Sequence, residues 1–282
     1  MRDYLELFGL SLLASVIAAP VLALCGALLH LRREAFLGVA VPQFATAGVA
    51  AALWLLPSFP ALHRSYLEHG HPPMLYLLPF AAGAACLALL AYGMRASRAP
   101  AASQLAGGFA LAGALAYVFL ARAPSGANFA ETVLRGEVLL LDLHDFQALA
   151  AVSAAGLAFL GAFRRTLLVG ALDPEQAYAL RMPLRAVNRS LPMVLGAVIG
   201  CGVMTLGPIL VFALLFLPPI GAALLTRGLR VFLFVTALLA LLVVILAWPA
   251  AILADLPYGP TAGLLAGSFW LLAAVVHRIR RS

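Results

Sequence analysis

Three imidazoles and one carboxylate lie close together in the first third of the chain, at His63, Glu68, His69 and His71. Imidazole and carboxylate groups bind Zn²⁺ in proteins, so this stretch could capture a divalent cation at the outer opening of a pathway. Its spacing matches no zinc-binding signature. A solvated loop without a ligand is therefore the alternative interpretation.

A second polar pair, Gln43 and Thr46, interrupts an apolar segment. Residues three apart lie on about the same face of a helix. The neighbouring Pro42 has no amide proton, so one backbone carbonyl would lack its usual donor. These groups could line a pathway for a weakly coordinated or hydrated cargo, or they could form hydrogen bonds between packed helices.

The segment from Asp173 to Pro183 has the pattern of a short, capped helix. Asp173 suits the N-cap, Pro174 suits the first helical position, and Glu175 is favoured near the positive end of the helix dipole. Gln176 at the third position can reach back to complete a capping box, and Pro183 is expected to end the helix after about two turns. Such a helix in a polar connection indicates a docking element, or else a solvated loop helix without a partner.

Motifs for catalysis and for nucleotide binding are absent from the sequence. There is no GxxxxGK[ST] phosphate loop, no HExxH zinc motif and no GxSxG nucleophile elbow. The three cysteines, Cys25, Cys86 and Cys201, are far apart and lie in apolar runs, which predicts packing roles rather than a disulfide or a thiolate site. We therefore expect neither an enzyme nor a cofactor bound by this chain.

Membrane helices must position these groups, because the composition excludes a soluble fold. Of the 282 residues, 64% are hydrophobic and only 10% are charged, whereas a soluble domain carries about 25% charged residues. We predict an all-α, polytopic membrane bundle forming one domain over residues 1–282. The nine predicted spans cover about 5–30, 35–56, 74–94, 103–120, 146–163, 187–206, 208–226, 231–252 and 260–277.

The basic residues are distributed unequally between the two sides of the membrane. All 18 basic residues are arginines, and alternating spans place 14 of them on one side and 4 on the other. The positive-inside rule then predicts an N-terminus outside and a C-terminus in the cytoplasm. No arginine-rich stripe with interleaved aromatic residues occurs, so nucleic acid is not an expected partner.

Taken in order, these motifs resemble the permease subunit of the ATP-binding-cassette importers for zinc, manganese and related metals. The strongest stretch runs from Asp173 to Leu225 and combines an Asp-Pro-Glu-x-Ala segment with Gly202 and an apolar run closed by Pro218 and Pro219. Weaker similarities lie at Arg32–Gly38, Leu134–Glu137 and Tyr258–Gly263.

The resemblance implies a multi-pass protein of the cytoplasmic (inner) membrane of a prokaryote, embedded in lipid. A second permease copy, identical or a paralogue, would complete the translocation path, and an extracytoplasmic solute-binding protein would deliver zinc, manganese or iron. A dimer of cytoplasmic ATPase subunits would hydrolyse ATP and grip a coupling helix. To that helix the resemblance assigns Asp173, Pro174, Glu175, Ala177, Tyr178 and Arg181.

The chain departs from the family where relatives carry pathway ligands. Val39 and Gln43 stand in place of an aspartate and a histidine, and no Asp, Glu or His is predicted near the middle of any span. Since a divalent cation needs oxygen or nitrogen ligands, this departure opposes the metal cargo that the resemblance implies. The alternatives are an ABC permease with an altered cargo, or a channel or secondary transporter without an ATPase. Carriers of the last kind usually bury ionisable groups at membrane depth.

Overall fold

A computed structural model of the chain describes residues 2–60, 64, 81, 101–123, 141 and 143–280. This part folds into α-helices, with no strand in these ranges. The helices are α1 (Arg2–Leu31), α2 (Ala35–Leu55), α3 (Ala101–Arg122), α4 (Leu143–Ala162), α5 (Arg164–Leu172), α6 (Pro174–Ala179), α7 (Leu184–Leu206), α8 (Pro208–Leu225), α9 (Leu229–Ala254) and α10 (Tyr258–Ile279), and a 3₁₀ turn covers Leu56–Ser58.

Seven of these helices are long and apolar enough to cross a membrane: α1, α2, α4, α7, α8, α9 and α10. Helix α3 adds a shorter apolar stretch, Ala106–Arg122. The predicted all-α membrane bundle is thus confirmed, and eight of the nine predicted spans fall on these helices. The third predicted span, about 74–94, lies outside the described residues except for Ala81. The total of nine spans and their orientation stay predictions.

Helix α1 lies at the centre and packs against α4, α8 and α9. Its contact face carries small residues, including the fully buried Ala19, Ala23 and Ala27. Gly26 lies on the same side, where a β-carbon would collide with the carbonyl oxygen of Leu215 in α8. Small residues let helix backbones approach closely in membranes, where van der Waals packing holds helices together. The α1–α8 contact is therefore made backbone against backbone.

Helices α2 and α3 form a second close pair. Ala47 and Ala50 of α2 pack against Ala112 and Ala116 of α3 in a buried cluster. Nearby, the rings of Trp54 and Phe119 stack with centroids 5.4 Å apart. Because α2 also contacts α7 and α8, this pair is joined to the central bundle.

The boundary between α7 and α8 falls at Gly207, as the sequence predicts. Gly207 has φ 79°, a left-handed conformation that glycine adopts without a steric penalty. Pro208 then takes the first position of α8, where its missing amide proton costs no helical hydrogen bond. Other prolines, such as Pro42 and Pro192, lie inside helices that continue past them, which neighbouring helices permit in membrane bundles.

Candidate functional site

Helix α6 begins as the sequence predicts. The Asp173 side chain accepts a hydrogen bond from the Gln176 amide at 3.0 Å, and Pro174 takes the first helical position. The other half of the capping box is wrong. The Asp173 amide, which the Gln176 side chain was expected to bond, donates instead to the Val169 carbonyl of α5 at 2.8 Å. The end of α5 therefore occupies that amide.

The end of α6 differs from the prediction that Pro183 terminates it. The Arg181 amide donates to the Tyr178 carbonyl at 3.0 Å, and the Met182 amide donates to the Ala177 carbonyl at 3.0 Å. These two bonds define a Schellman motif, which ends the helix before Pro183 is reached. Arg181 sits in its left-handed position with φ 52°, where glycine is usual. A side chain there costs about 1–2 kcal/mol.

The residues around α6 divide into a buried and an exposed set. Ala177 is fully buried, and α6 packs against α5. Three large apolar side chains are more than half exposed, and we call them the docking face: Leu172, Tyr178 and Leu180. Glu175 and Arg181 are exposed beside them. Exposed apolar side chains outside the apolar spans favour a protein partner over a solvated helix.

The docking face is tied to the membrane helices through the start of α7. Leu184 is buried and lies against Gly170 of α5, where a β-carbon would collide with the leucine side chain. One turn further, the Asn188 side-chain oxygen accepts two hydrogen bonds from the Arg32 guanidinium, both 3.1 Å. Arg32 also pairs with Glu34 at 3.2 Å. Helix α6 is therefore connected through α5 to α7, and α7 is hydrogen-bonded to the turn between α1 and α2.

The predicted polar pair lies on α2, but its members have different surroundings. The Thr46 hydroxyl donates to the Pro42 carbonyl of its own helix at 2.9 Å. Gln43 is half-buried, and its amide nitrogen lies 3.2 Å from the place of a β-carbon on Gly113 of α3. The Gln43 amide thus lies at the α2–α3 contact, whereas the Thr46 hydroxyl bonds within its helix.

Asp145 is a residue that the sequence analysis missed, because the fifth span was predicted to start one position later. It lies in the first turn of α4 and is only 9% exposed. Its buried stripe continues through Leu149, Ser153 and Gly156, and α4 packs against α7. The spacing of this stripe is helical and could have indicated the burial. A buried carboxylate inside a membrane bundle suggests a functional role.

The proposed cation ligands of the outer loop cannot be placed. His63, Glu68, His69 and His71 lie outside the described residues. Within the described ranges, no group of three or more His, Cys, Asp or Glu side chains could hold a metal ion. Val39 lies in α2, one turn before Gln43.

Comparison with protein families gives one match that spans nearly the whole chain. The model of the ABC 3 transport family matches residues 5–277. The manganese transport system membrane protein MntC of Halalkalibacterium halodurans is 28% identical over 141 residues, which is 50% of this chain and 48% of the relative. The chain thus spans about half the length of this curated relative.

Two solved structures have a similar fold. PsaBC from Streptococcus pneumoniae in complex with Fab gives a TM-score of 0.79 at 21% identity, covering 96% of this chain and 93% of the other. A structure described as a metal-chelate type ABC transporter in an inward-facing conformation gives 0.70 at 17% identity, covering 94% and 84%. At these identities the likeness concerns the fold alone.

Proposed function

The chain belongs to the ABC 3 transport family, and on that premise we propose that it is the permease subunit of an ATP-binding-cassette importer for divalent metal ions. The observation that carries the proposal is the docking face at Leu172, Tyr178 and Leu180. Residues 1–282 would form one permease domain with its C-terminus in the cytoplasm of a prokaryote. ATP would be hydrolysed on the partner, and the metal ion would be cargo rather than a bound cofactor.

The proposed assembly pairs this chain with a second permease copy, identical or a paralogue. An ATPase dimer would contact α6 from the cytoplasm, and an extracytoplasmic solute-binding protein would deliver the cargo. Tyr178 and Glu175 of α6 and Arg181 just after it are exposed and would touch the ATPase. Asp173 and Pro174 would stabilise the start of the helix, and the buried Ala177 would pack the helix against the rest of the permease.

Purification from the native membrane tests this assembly. A tagged wild-type chain, solubilised in a mild detergent, should retain an ATPase subunit at a ratio near one per permease. Recovery of the folded permease with no ATPase, under conditions that preserve other membrane complexes, would contradict the importer assignment.

Manganese, zinc and iron are the proposed cargoes. Support comes from the matched relative, which is named a manganese transport protein. Gln43 offers an amide oxygen, a ligand that suits hard cations such as Mn²⁺, and the half-buried amide would serve an ion that keeps part of its water shell. The outer His63, Glu68, His69 and His71 would collect the ion before it enters the bundle.

Asp145, buried in the first turn of α4, would supply a carboxylate to the cation path. We expect Asp145→Asn to lower uptake at a limiting Mn²⁺ concentration about tenfold, which corresponds to the loss of about 1.4 kcal/mol of cation stabilisation. Metal uptake into proteoliposomes measured against Mn²⁺ concentration checks this. Ser153→Ala, on the same stripe of α4, is the matched control and should transport normally. Wild-type uptake by Asp145→Asn would assign Asp145 a purely structural role.

Arg181 offers a prediction in which stability and binding change in opposite directions. Arg181→Gly should stabilise the permease by up to about 1 kcal/mol, because glycine relieves the left-handed strain. It should also weaken ATPase binding about fivefold, because the guanidinium is lost from the interface. Thermal melting and ATPase titration measure the two effects separately.

The matched control for this prediction is Arg33→Gly. Arg33 has φ 58° in a similar motif at the end of α1, so the substitution relieves the same strain away from α6. It should raise stability and leave ATPase binding unchanged. If Arg181→Gly binds the ATPase as tightly as the wild type, Arg181 has no part in the coupling contact.

A secondary transporter is the second candidate, and the burial of Asp145 is the observation that favours it. Ion-coupled carriers bury ionisable groups within the membrane, and Asp145 is buried in the first turn of the spanning helix α4. Such a carrier would move its cargo along an ion gradient without ATP, and the docking face would then have no ATPase to bind.

A further inference from the structure

A polar cavity of about 390 Å³ lies between the ends of α8 and α10, and its lining includes no described residue of α6 or α2. Arg227 and Arg280 line it from the two sides, together with Thr226 and His277. Neither the proposed coupling contact nor the proposed metal path uses these residues.

The polar groups at the end of α8 are already held in place. His277 donates from Nδ1 to the Leu224 carbonyl at 2.8 Å, and the Thr226 hydroxyl donates to the Ala222 carbonyl at 2.8 Å. The Leu224 carbonyl is one of the last of α8 and lacks a partner within the helix, so the His277 bond satisfies it. The Ala222 carbonyl also accepts from the Thr226 amide at 3.0 Å. Capping of these two carbonyls therefore does not require Arg227 or Arg280.

The two arginines give the cavity a positive charge, which is suited to binding an anion. Between Glu175 and Asp255 the sequence contains no acidic residue, and Asp255 lies at the far end of α9. Among the described residues, the recorded salt bridge joins Arg32 to Glu34 instead. Arg227 and Arg280 thus line one cavity without a salt bridge to a described carboxylate, and two such guanidinium groups are suited to binding phosphate.

The position of the cavity matches the depth of lipid headgroups. Helices α8 and α10 are both long and apolar enough to span the membrane, and the cavity lies where they end. On α10, the exposed Leu272 and Val276 lie two turns and one turn before Arg280, respectively, on the same face. An apolar stripe thus leads along the helix to an arginine of the cavity.

We propose that this cavity binds the phosphate of an anionic phospholipid, whose acyl chain lies along Leu272 and Val276. Basic pockets between membrane helices on the cytoplasmic side are suited to anionic headgroups. The proposal rests on the membrane placement of α8 and α10, and it is independent of the transported cargo and of the ATPase.

Native mass spectrometry of the full-length chain in a neutral detergent tests the proposal with phosphatidylglycerol and phosphatidylcholine as probes. The wild type should bind one phosphatidylglycerol per chain at least tenfold more tightly than phosphatidylcholine. Arg227→Ala and Arg280→Ala should each weaken phosphatidylglycerol binding about fivefold, since each basic residue near an anionic membrane surface contributes about that factor. The double variant should lose the preference.

Two matched variants separate the cavity from general surface charge. Arg278→Ala removes the same charge two residues from Arg280, at a position that does not line the cavity. It should keep phosphatidylglycerol binding within about twofold of the wild type. The double variant Arg227→Lys and Arg280→Lys keeps the charge and should retain most of the binding, which guards against loss through misfolding.

Four results would overturn the assignment. Equal binding of both lipids by the wild type, or an equal loss from Arg278→Ala and Arg280→Ala, would remove the specific site. Displacement of phosphatidylglycerol by equimolar glycerol 1-phosphate would assign the cavity to a soluble phosphate compound. Loss of ATPase binding by the double alanine variant, with lipid binding unchanged, would assign it to a protein contact.

Discussion

Replacing Tyr178 with glutamate is expected to weaken ATPase binding at least about 100-fold while the permease still inserts and folds. Tyr178 is more than half exposed on the docking face, so its loss leaves no cavity in the permease. Aromatic anchors at interfaces commonly contribute 2 kcal/mol or more, and burying an unpaired carboxylate in the contact adds to the loss. The combined effect exceeds the roughly 2.8 kcal/mol that correspond to 100-fold.

The measurement is a titration of the purified ATPase onto the permease in lipid nanodiscs. Tyr178→Phe keeps the ring and should bind within a fewfold of the wild type. Ala177→Glu is unsuitable for testing the ATPase contact. Ala177 is fully buried, so its replacement disrupts the packing of α6 against the permease itself. Normal binding by Tyr178→Glu, in a permease of wild-type melting temperature, would show that α6 is not the coupling element.

Replacing Gly26 with alanine is expected to destabilise the bundle by about 3 kcal/mol or more. The added methyl group would collide with the Leu215 backbone in α8, and a backbone cannot rotate away as a side chain can. Overpacking in a dense core typically costs about 1–3 kcal/mol and occasionally more, and a backbone collision belongs at or above the upper end of that range. Because α1 is the central helix, the recovered amount of folded protein should fall as well.

Gly267→Ala provides the matched control for this change. Gly267 lies in the spanning helix α10 with no atom within 4 Å of its would-be β-carbon. The same methyl addition there should be neutral or slightly stabilising, since alanine is the better helix former. Thermal melting of both variants in one detergent makes the comparison. Equal stability of the two variants would disprove the close α1–α8 backbone contact.

Hydropathy and local turn chemistry made much of this fold predictable from the sequence. Long apolar runs indicate membrane helices because the bilayer requires them, and eight predicted spans fall on described helices. The Gly207–Pro208 boundary and the Asp173 cap are local features, and both are confirmed. The contact of Gly26 with Leu215 joins residues distant in sequence, so no local pattern indicates it.

The candidate site was predictable in position but not in orientation. A helix of only six residues is too short for hydrophobic periodicity to tell which of Ala177 and Tyr178 faces inward. The end of α6 breaks a local rule, because Arg181 occupies a position that usually requires glycine. The burial of Asp145 depends on the packing of α4 against α7, which the sequence of α4 alone does not specify.

Metal uptake by reconstituted proteoliposomes tests the central proposal most directly. The vesicles would contain the full chain, its ATPase and the solute-binding protein, and uptake of Mn²⁺, Zn²⁺ and Fe²⁺ would be compared with and without ATP. We predict uptake of at least one of these ions that requires both ATP and the binding protein. Uptake that proceeds equally without ATP, along the ion gradient alone, would contradict the proposal and assign the chain to a channel or secondary transporter.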